Sequence, residues 1–206
     1  MSTLLVIAKA PVAGRVKTRL TTAFTPRQAA ALALAALRDT LDAVVAAPAR
    51  RRVLVLDGQP GPWLPEGIEV VPQAAGGLDV RLAAAFAVAD GPALLLGMDT
   101  PQVTADLLAP GLDFTGTDAW FGPADDGGFW ALGLARPDPA LLLGVPMSVP
   151  DTGAVQRGRL TGAGLAVRDL PGLCDVDTPA DAARVAAAAP GTRFAALHAK
   201  LCAVAR

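Results

Sequence analysis

Short apolar runs alternate with longer Ala- and Leu-rich stretches along the chain. The short runs have the length of strands and cannot span a membrane, so they predict buried β-strands. We expect these strands at residues 4–8, 52–56, 68–71, 93–97, 118–122, 129–134 and 165–167. We expect helices at residues 27–47, 152–160, 182–189 and 193–204, with another that follows Gly77 and ends near Asp90.

Capping residues mark where several of these helices begin. Thr25 and Thr178 each precede a proline, which places a capping hydroxyl before a proline at the first helical position. Asp151 is the expected cap of the helix at 152–160. Strands that alternate with helices indicate a parallel-dominated α/β sheet with helices on both faces. The strand at 93–97 is apolar throughout and is expected to be a central parallel strand.

The composition limits the kinds of protein that this chain can be. Hydrophobic residues make up 52% of its 206 residues and charged residues 18%, which favours one globular domain over residues 1–206. A net charge of −1 argues against nucleic-acid binding. With His198 as its only histidine, the chain has little material for a Ser-His-Asp hydrolase or a zinc site. Cys174 and Cys202 are expected to be reduced thiols in a cytoplasmic protein without a signal peptide or membrane span.

A basic loop follows the first strand. It holds four cations and one glycine without an acidic residue, namely Lys9, Gly14, Arg15, Lys17 and Arg19. Open α/β sheets bind nucleotide phosphates in such loops at the carboxyl ends of their strands. Neither the Walker A motif nor the dinucleotide fingerprint fits the loop. A phosphate-binding loop and a solvated connector both remain open on these residues alone.

Further candidate residues follow later strands. Arg81 stands on the first turns of the helix after Gly76-Gly77, where a ligand could approach the backbone or where a plain turn would suffice. Asp99 follows the apolar strand at 93–97, where an unpaired charge is costly, so either a metal ion or a turn would account for it. Asp126 lies in an Asp-Asp-Gly-Gly turn that either is structural or shapes a sugar or base pocket.

Two more aspartates precede the helix that begins after Thr178. Asp175 and Asp177 alternate along an extended segment, so both should point the same way. Because these candidates all follow strands, we expect them at the ligand-binding edge of the sheet. Cations and separated aspartates at one edge suggest a metal-bridged nucleotide whose diphosphate is polarised for departure.

The candidate residues fall in four motifs, which are AKAPxxGRxKTRL at residues 8–20, GxDxP at 97–101, GPAxDGG at 122–128 and DxDTP at 175–179. Together these motifs resemble those of a small bacterial family of GT-A-type nucleotide-diphospho-sugar transferases. The resemblance implies a GT-A fold, a Rossmann-like three-layer α/β/α sandwich with a mostly parallel central sheet. It also implies that a nucleotide or nucleotide sugar binds together with Mg²⁺ or Mn²⁺. More distant similarity is to cofactor guanylyltransferases and CMP-sugar synthetases.

The resemblance assigns roles to the candidate residues. Asp99 and Asp177 would hold the metal, with Asp175 in support, and Asp126 would orient sugar or acceptor hydroxyls, with Asp99 and Asp126 as the catalytic pair. The nucleotide would bind at the remaining candidates, which are Lys9, Gly14, Arg15, Lys17, Arg19 and Arg81. Of these, Arg15, Lys17 and Arg19 would contact its phosphates. Two departures matter. Asp99 stands alone where many glycosyltransferases have Asp-x-Asp, and the loop lacks the Gly-x-Gly of typical nucleotidyltransferases.

The sequence therefore predicts a cytoplasmic transferase that moves a glycosyl group from a nucleotide-diphospho-sugar to a small-molecule acceptor. Nucleotidyl transfer with release of pyrophosphate is the first alternative. A regulatory domain that binds a nucleotide without turnover is the second. A homodimer is compatible with the sequence, which does not identify the base, the sugar or the acceptor.

Overall fold

The first strand lies near the middle of a seven-stranded sheet in this computed structural model, which describes residues 2–204. The strands are β1 (Thr3–Lys9), β2 (Arg51–Asp57), β3 (Glu69–Pro72), β4 (Ala93–Gly97), β5 (Ala119–Pro123), β6 (Phe129–Leu134) and β7 (Val167–Asp169). Their order in the sheet is β3-β2-β1-β4-β6-β5-β7. Only β6 runs against its neighbours, so the other six strands end at the same edge of the sheet.

Six helices accompany the sheet within the described residues. They are α1 (Pro26–Ala46), α2 (Leu78–Phe86), α3 (Ala105–Leu108), α4 (Thr152–Gly162), α5 (Pro179–Ala188) and α6 (Arg193–Val204). The predicted caps of α1 and α5 are confirmed, since Thr25 and Thr178 each accept a hydrogen bond from the first turn and complete a capping box. Within residues 2–204, no helix is both long enough and apolar enough to cross a membrane.

The strand side chains alternate between two cores, which makes the molecule three-layered. Leu4 and Val6 of β1 pack with α1 and α3 on one face, whereas Leu5 packs with α2 and α4 on the other. The predicted three-layer α/β/α arrangement with a mostly parallel sheet is confirmed.

A further layer of packing joins α5 and α6 to the outer side of α1. Its anchor is Asp39 of α1, a carboxylate whose side chain is only 7% exposed. It accepts hydrogen bonds from the backbone N–H groups of Arg193 and Phe194, at 3.1 and 2.9 Å, and pairs with the guanidinium of Arg193 at 3.2 Å. A carboxylate at the N-terminus of a helix satisfies free N–H groups and interacts favourably with the helix dipole.

The structure corrects several details of the sequence-based prediction. The carboxylate of Asp151 makes no capping hydrogen bond to α4. Instead, the hydroxyl of Thr152 accepts from Val149 N–H and donates to Pro146 O, which fixes the loop before the helix. The helix α2 ends at Phe86 instead of near Asp90, and the last strand begins at Val167 instead of residue 165. The strand β4 is central but has a parallel partner on one side only, because β6 is antiparallel.

Candidate functional site

A cleft of about 700 Å³ opens at the carboxyl edge of the sheet. Nine of the ten residues that the sequence singled out line this cleft, namely Lys9, Arg15, Lys17, Arg19, Arg81, Asp99, Asp126, Asp175 and Asp177. They come from five separate segments of the chain, and the shared edge of parallel strands brings them together.

Gly14 is the predicted residue that does not line the cleft. Its φ angle of +78° lies in the left-handed region, which glycine adopts without steric cost. A Cβ atom at this position would meet no atom within 4 Å. Gly14 therefore shapes the turn of the basic loop, and its contact with a nucleotide stays a prediction.

Lys17 connects the basic loop to the tip of β4. Its ammonium group lies 2.7 Å from Asp99 Oδ1 and also donates to the carbonyl oxygen of Val176. This contact is an ion pair that lacks the geometry of a hydrogen bond, so the buried Oδ1 of Asp99 accepts no hydrogen bond within the described residues. The Lys17 side chain is 8% exposed, and its φ of 48° is unusual for a residue other than glycine. The fold thus holds this lysine in place despite backbone strain.

The segment that carries Asp175 and Asp177 is tied directly to the same strand tip. Val176 N–H donates to the backbone oxygen of Asp99 at 2.8 Å. Burial, together with the neighbouring charge of Asp126, raises the pKa of Asp175 to about 6, and Lys17 partly opposes this rise while Asp99 adds to it. Two neighbouring carboxylates therefore act on Asp175 at this end of the cleft.

Arg19 pairs with the carboxylate of Asp177 at the rim of the cleft. Both side chains are well exposed, and this contact raises the pKa of Arg19 further above its usual value. Two of the cations expected on phosphate, Lys17 and Arg19, are thus engaged with two of the carboxylates expected on metal. The structure brings all four together, in pairs that the sequence did not predict.

Asp126 lies in the turn between β5 and β6. Its carboxylate accepts a hydrogen bond from Gly128 N–H at 2.8 Å, and its side chain faces the cleft rim. Gly127 has a positive φ of 87°, and a Cβ there would lie 1.9 Å from the carbonyl oxygen of Pro150. The turn therefore requires glycine because it packs tightly on the loop before α4. Neighbouring Asp125 pairs with Arg184 and does not line the cleft.

Lys9, Arg15 and Arg81 are the cleft cations without a carboxylate partner among residues 2–204. Arg81 donates to Oε1 of Gln73 at 3.0 Å, while its Nε is buried without a hydrogen-bond partner there. The amide nitrogen of Gln73 donates to Ala8 O at 2.7 Å and to Val55 O at 3.1 Å. Gln73 thus fixes Arg81 between the main cleft and a neighbouring cavity of about 470 Å³.

Sequence reasoning missed Gln73 and the loop before α4. The residues of that loop in the cleft wall are Met147, Ser148, Val149 and Pro150. Ser148 has a φ of 61°, a second unusual backbone conformation at the cleft. No sequence motif marks Gln73 or this loop. Gln73 acts through hydrogen bonds to backbone atoms that are distant in sequence. The one signal was the proline pair at Pro146 and Pro150, which marks a loop of restricted conformation.

The predicted metal ligands do not form a complete protein cage. Within residues 2–204, no three His, Cys, Asp or Glu side chains are close enough to hold a metal ion together. Mg²⁺, however, is often held by one or two carboxylates plus substrate phosphates. Asp99, with a buried oxygen that accepts no hydrogen bond, and Asp175, whose pKa is raised among other carboxylates, have the donor chemistry for such a shared site. The residues fit a cation of this kind.

Comparison with protein families gives one match. The chain matches the protein family DUF2064, whose description is "uncharacterized protein conserved in bacteria", over residues 29–149. Among curated proteins, no relative matches the chain.

Solved structures give many matches, of which three are informative. A proposed nucleotide-diphospho-sugar transferase from Desulfovibrio desulfuricans G20 has 26% identity over 86% of this chain and 84% of its own, with a TM-score of 0.77. The 2-C-methyl-D-erythritol 4-phosphate cytidylyltransferase of Thermus thermophilus has 18% identity over 92% and 100%, with a TM-score of 0.55. Rv0371c of Mycobacterium tuberculosis H37Rv, in complex with manganese, has 22% identity over 90% and 98%, with a TM-score of 0.52. The chain has the fold of nucleotide-dependent transferases.

Proposed function

We propose that this chain, which belongs to the DUF2064 family of uncharacterized bacterial proteins, is a metal-dependent transferase acting on a nucleotide-activated substrate. The observation that carries the proposal is the distribution of charge in the cleft. Carboxylates gather around the tip of β4, while Lys9, Arg15 and Arg81 line the same cleft without carboxylate partners among residues 2–204. A substrate with a diphosphate group complements both regions, because a divalent cation can join its phosphates to the carboxylates.

Asp99 is the central metal ligand in this proposal. Asp175 and Asp177 are the candidates for the second carboxylate, and the electrostatic influence of Asp99 on Asp175 favours Asp175 in the present arrangement. Asp177 would first have to release Arg19. The bound cation would neutralise the negative charge that develops on the departing phosphate.

The chain's own cations would hold the phosphates. Arg15 and Lys9 are exposed at the cleft, and Arg81 is oriented by Gln73, so charge-assisted hydrogen bonds can reach phosphate oxygens. Lys17 lies beside Asp99 and would place its ammonium where the metal-bound phosphate meets the carboxylate. Asp126 would orient a hydroxyl of the sugar or of the acceptor.

We favour glycosyl transfer as the reaction. The similarity to a proposed nucleotide-diphospho-sugar transferase extends over 84% of that protein at 26% identity, which supports this choice. Asp126 also lines the cleft, and its carboxylate can accept hydrogen bonds from the hydroxyls of a sugar.

Nucleotidyl transfer is the second candidate. Lys9, Arg15 and Arg81 provide three cations, which would suit the three phosphates of a nucleoside triphosphate. Such an enzyme attacks the α-phosphorus and releases pyrophosphate, whereas a glycosyltransferase releases a nucleoside diphosphate. The products therefore distinguish the two reactions.

The test uses the purified chain with Mn²⁺ and two panels of substrates. One panel contains nucleotide sugars, and the other contains nucleoside triphosphates with phosphorylated acceptors. We expect slow hydrolysis of one nucleotide sugar to its nucleoside diphosphate, lost in Asp99→Asn and kept in Glu66→Gln, an exposed carboxylate outside the cleft. Acceptor-dependent pyrophosphate release with inert nucleotide sugars would favour the second candidate. If no nucleotide binds with or without Mn²⁺, the proposal is wrong.

A further inference from the structure

Gly97, at the end of β4, leaves open space in the wall of the cleft. It pairs in register with Ile7 of β1 and lines the cleft beside it. A Cβ atom at Gly97 would meet no atom within 4 Å, and its φ lies outside the left-handed region that favours glycine. Neither backbone conformation nor crowding therefore requires glycine here. The missing side chain enlarges the cleft.

Apolar side chains line the cleft on the face of the sheet to which Gly97 belongs. Ile7, Leu78, Phe129 and Met147 all line the cleft and pack partly buried against the core between the sheet, α2 and α4. They come from β1, α2, β6 and the loop before α4. We call these four side chains and the space at Gly97 the Gly97 subsite.

Two polar side chains that line the same cleft already have hydrogen-bond partners within the protein. The hydroxyl of Thr152 both accepts a hydrogen bond from Val149 N–H and donates one to Pro146 O. The amide of Gln73 donates to two backbone oxygens and accepts from Arg81. A hydroxyl that met only the four apolar side chains would lose its hydrogen bonds to water without replacement, which disfavours polar occupants of the subsite.

The subsite lies close to the proposed reaction centre. Gly97 and Asp99 are two residues apart in the chain, and both line the cleft. Two residues of chain span at most about 7 Å. A molecule of moderate size could therefore place a hydroxyl near Asp99 and an adjoining group beside Gly97.

We propose that the Gly97 subsite receives a compact apolar group, a ring or branched aliphatic chain, carried by the acceptor alcohol. Binding of an apolar group follows from the subsite alone, whereas its assignment to the acceptor rests on the proposed function. A nucleotide base and a sugar are the less suitable occupants, since both carry polar groups around their rings. The inference narrows the acceptor to an alcohol with an apolar portion next to the reacting hydroxyl.

Two probes with the same carbon ring test this inference. Cyclohexanol carries one hydroxyl on its six-membered ring, and myo-inositol carries six. We would follow the ¹³C-labelled methyl groups of methionine by NMR, with the Met147 signal assigned through Met147→Leu. We expect cyclohexanol to shift the Met147 signal saturably, with a dissociation constant on the order of 1 mM for so small a ligand, and myo-inositol to leave it unchanged.

Substitution at Gly97 provides the structural control. Gly97→Leu should fill the open space and weaken cyclohexanol binding by about tenfold or more, and Gly97→Ala should have a smaller effect in the same direction. Gly158→Leu is the matched control, because Gly158 is exposed on α4, also has open space around it and does not line the cleft. It should bind cyclohexanol as the unaltered chain does. If Gly97→Leu does not fold, the graded effect of Gly97→Ala carries the test.

Three outcomes would overturn the inference: no saturable shift with cyclohexanol, an equal shift with myo-inositol, or cyclohexanol binding that neither Gly97 variant weakens. Mn²⁺-dependent nucleotide binding is measured on the same sample and tests the proposed function separately. Nucleotide binding without cyclohexanol binding contradicts the subsite alone. Cyclohexanol binding without nucleotide binding supports the apolar subsite and contradicts its assignment to an acceptor.

Discussion

The ammonium of Lys17 lies 2.7 Å from Oδ1 of Asp99, so the carboxylate at the tip of β4 has the chain's own cation as its counter-ion. The two residues are far apart in sequence, and the pairing forms only because the loop after β1 folds over the end of β4. A divalent cation at Asp99 must share the carboxylate with this ammonium or use its other oxygen. Lys17 and Asp99 should therefore be coupled in both stability and ligand binding.

The first prediction concerns that coupling. Lys17→Met should lower the free energy of unfolding by roughly 1–3 kcal/mol, because it removes a charged partner from a buried oxygen of Asp99. In the Asp99→Asn background, the same substitution should cost about 1 kcal/mol less. Urea unfolding in EDTA measures all four proteins of the cycle. Additive effects would show that the ion pair contributes nothing to stability.

The second prediction concerns the metal. Asp99→Asn should abolish the Mn²⁺-dependent part of nucleotide diphosphate binding, since its carboxylate is the central ligand in the proposed site. If Asp175→Asn or Asp177→Asn causes the same loss, the substituted residue is the second metal ligand. Calorimetric titration with and without Mn²⁺ measures these affinities, with Glu66→Gln as the exposed-carboxylate control. Unchanged Mn²⁺ dependence in all three aspartate variants rules out the proposed ligands.

The third prediction concerns pH. Burial raises the pKa of Asp175 to about 6, above the value of about 3.9 expected in an unfolded chain. The folded state therefore binds the proton more tightly, and this contribution to stability is present below pH 4 and lost as pH rises through 6. Asp175→Asn should remove this dependence and, at pH 7 in EDTA, raise the free energy of unfolding by about 1–2 kcal/mol, with solvent access taken into account.

Chemical denaturation at pH 4.5, 5.5 and 7 checks the pH prediction, with the Asp175→Asn variant and the unaltered chain compared at each pH. The difference between the two proteins should grow with pH. A constant difference would mean that the carboxylate of Asp175 does not titrate in this range.

The fourth prediction separates phosphate contacts from general electrostatics. Arg15→Ala should weaken nucleoside diphosphate binding by about tenfold and leave nucleoside binding nearly unchanged, because charge-assisted hydrogen bonds reach only the phosphates. Arg38→Ala is the matched control, an exposed arginine on α1 outside the cleft. Equal losses for nucleoside and nucleotide would show that Arg15 does not contact phosphate, which would favour the solvated connector as the role of its loop.

Local chemistry explains which parts of the fold the sequence predicts. The caps at Thr25 and Thr178 depend on a hydroxyl and a proline within a few residues, and both form as expected. Asp151 is of a residue type that commonly caps helices, but it does not cap α4, and the hydroxyl of Thr152 fixes the loop before that helix instead. The antiparallel direction of β6 escaped prediction, because an apolar run has no direction and only its neighbours β4 and β5 decide it.

The candidate site also has features that the sequence predicts and features that it does not. That Asp99, Asp126 and Asp175 line one cleft was predictable, since each follows a strand and parallel strands end at one edge. The pairing of Lys17 with Asp99 was not predictable, because it depends on a strained backbone and on distances between remote segments. Gln73 is the clearest omission. Its role consists of hydrogen bonds to the carbonyl groups of two strands and to one arginine, which no local pattern signals.

The anchoring of α6 on Asp39 has a consequence for synthesis on the ribosome. The first partner of this carboxylate, Arg193, follows it by 154 residues. At about 5–20 residues per second, translation needs roughly 8 to 30 s to reach that partner. Throughout this interval, α1 can fold only with the Asp39 carboxylate in contact with water, so burial of its outer face is delayed until α6 emerges. A nascent chain stalled before Arg193 should therefore remain open to proteases at α1 for longer than at the central strands.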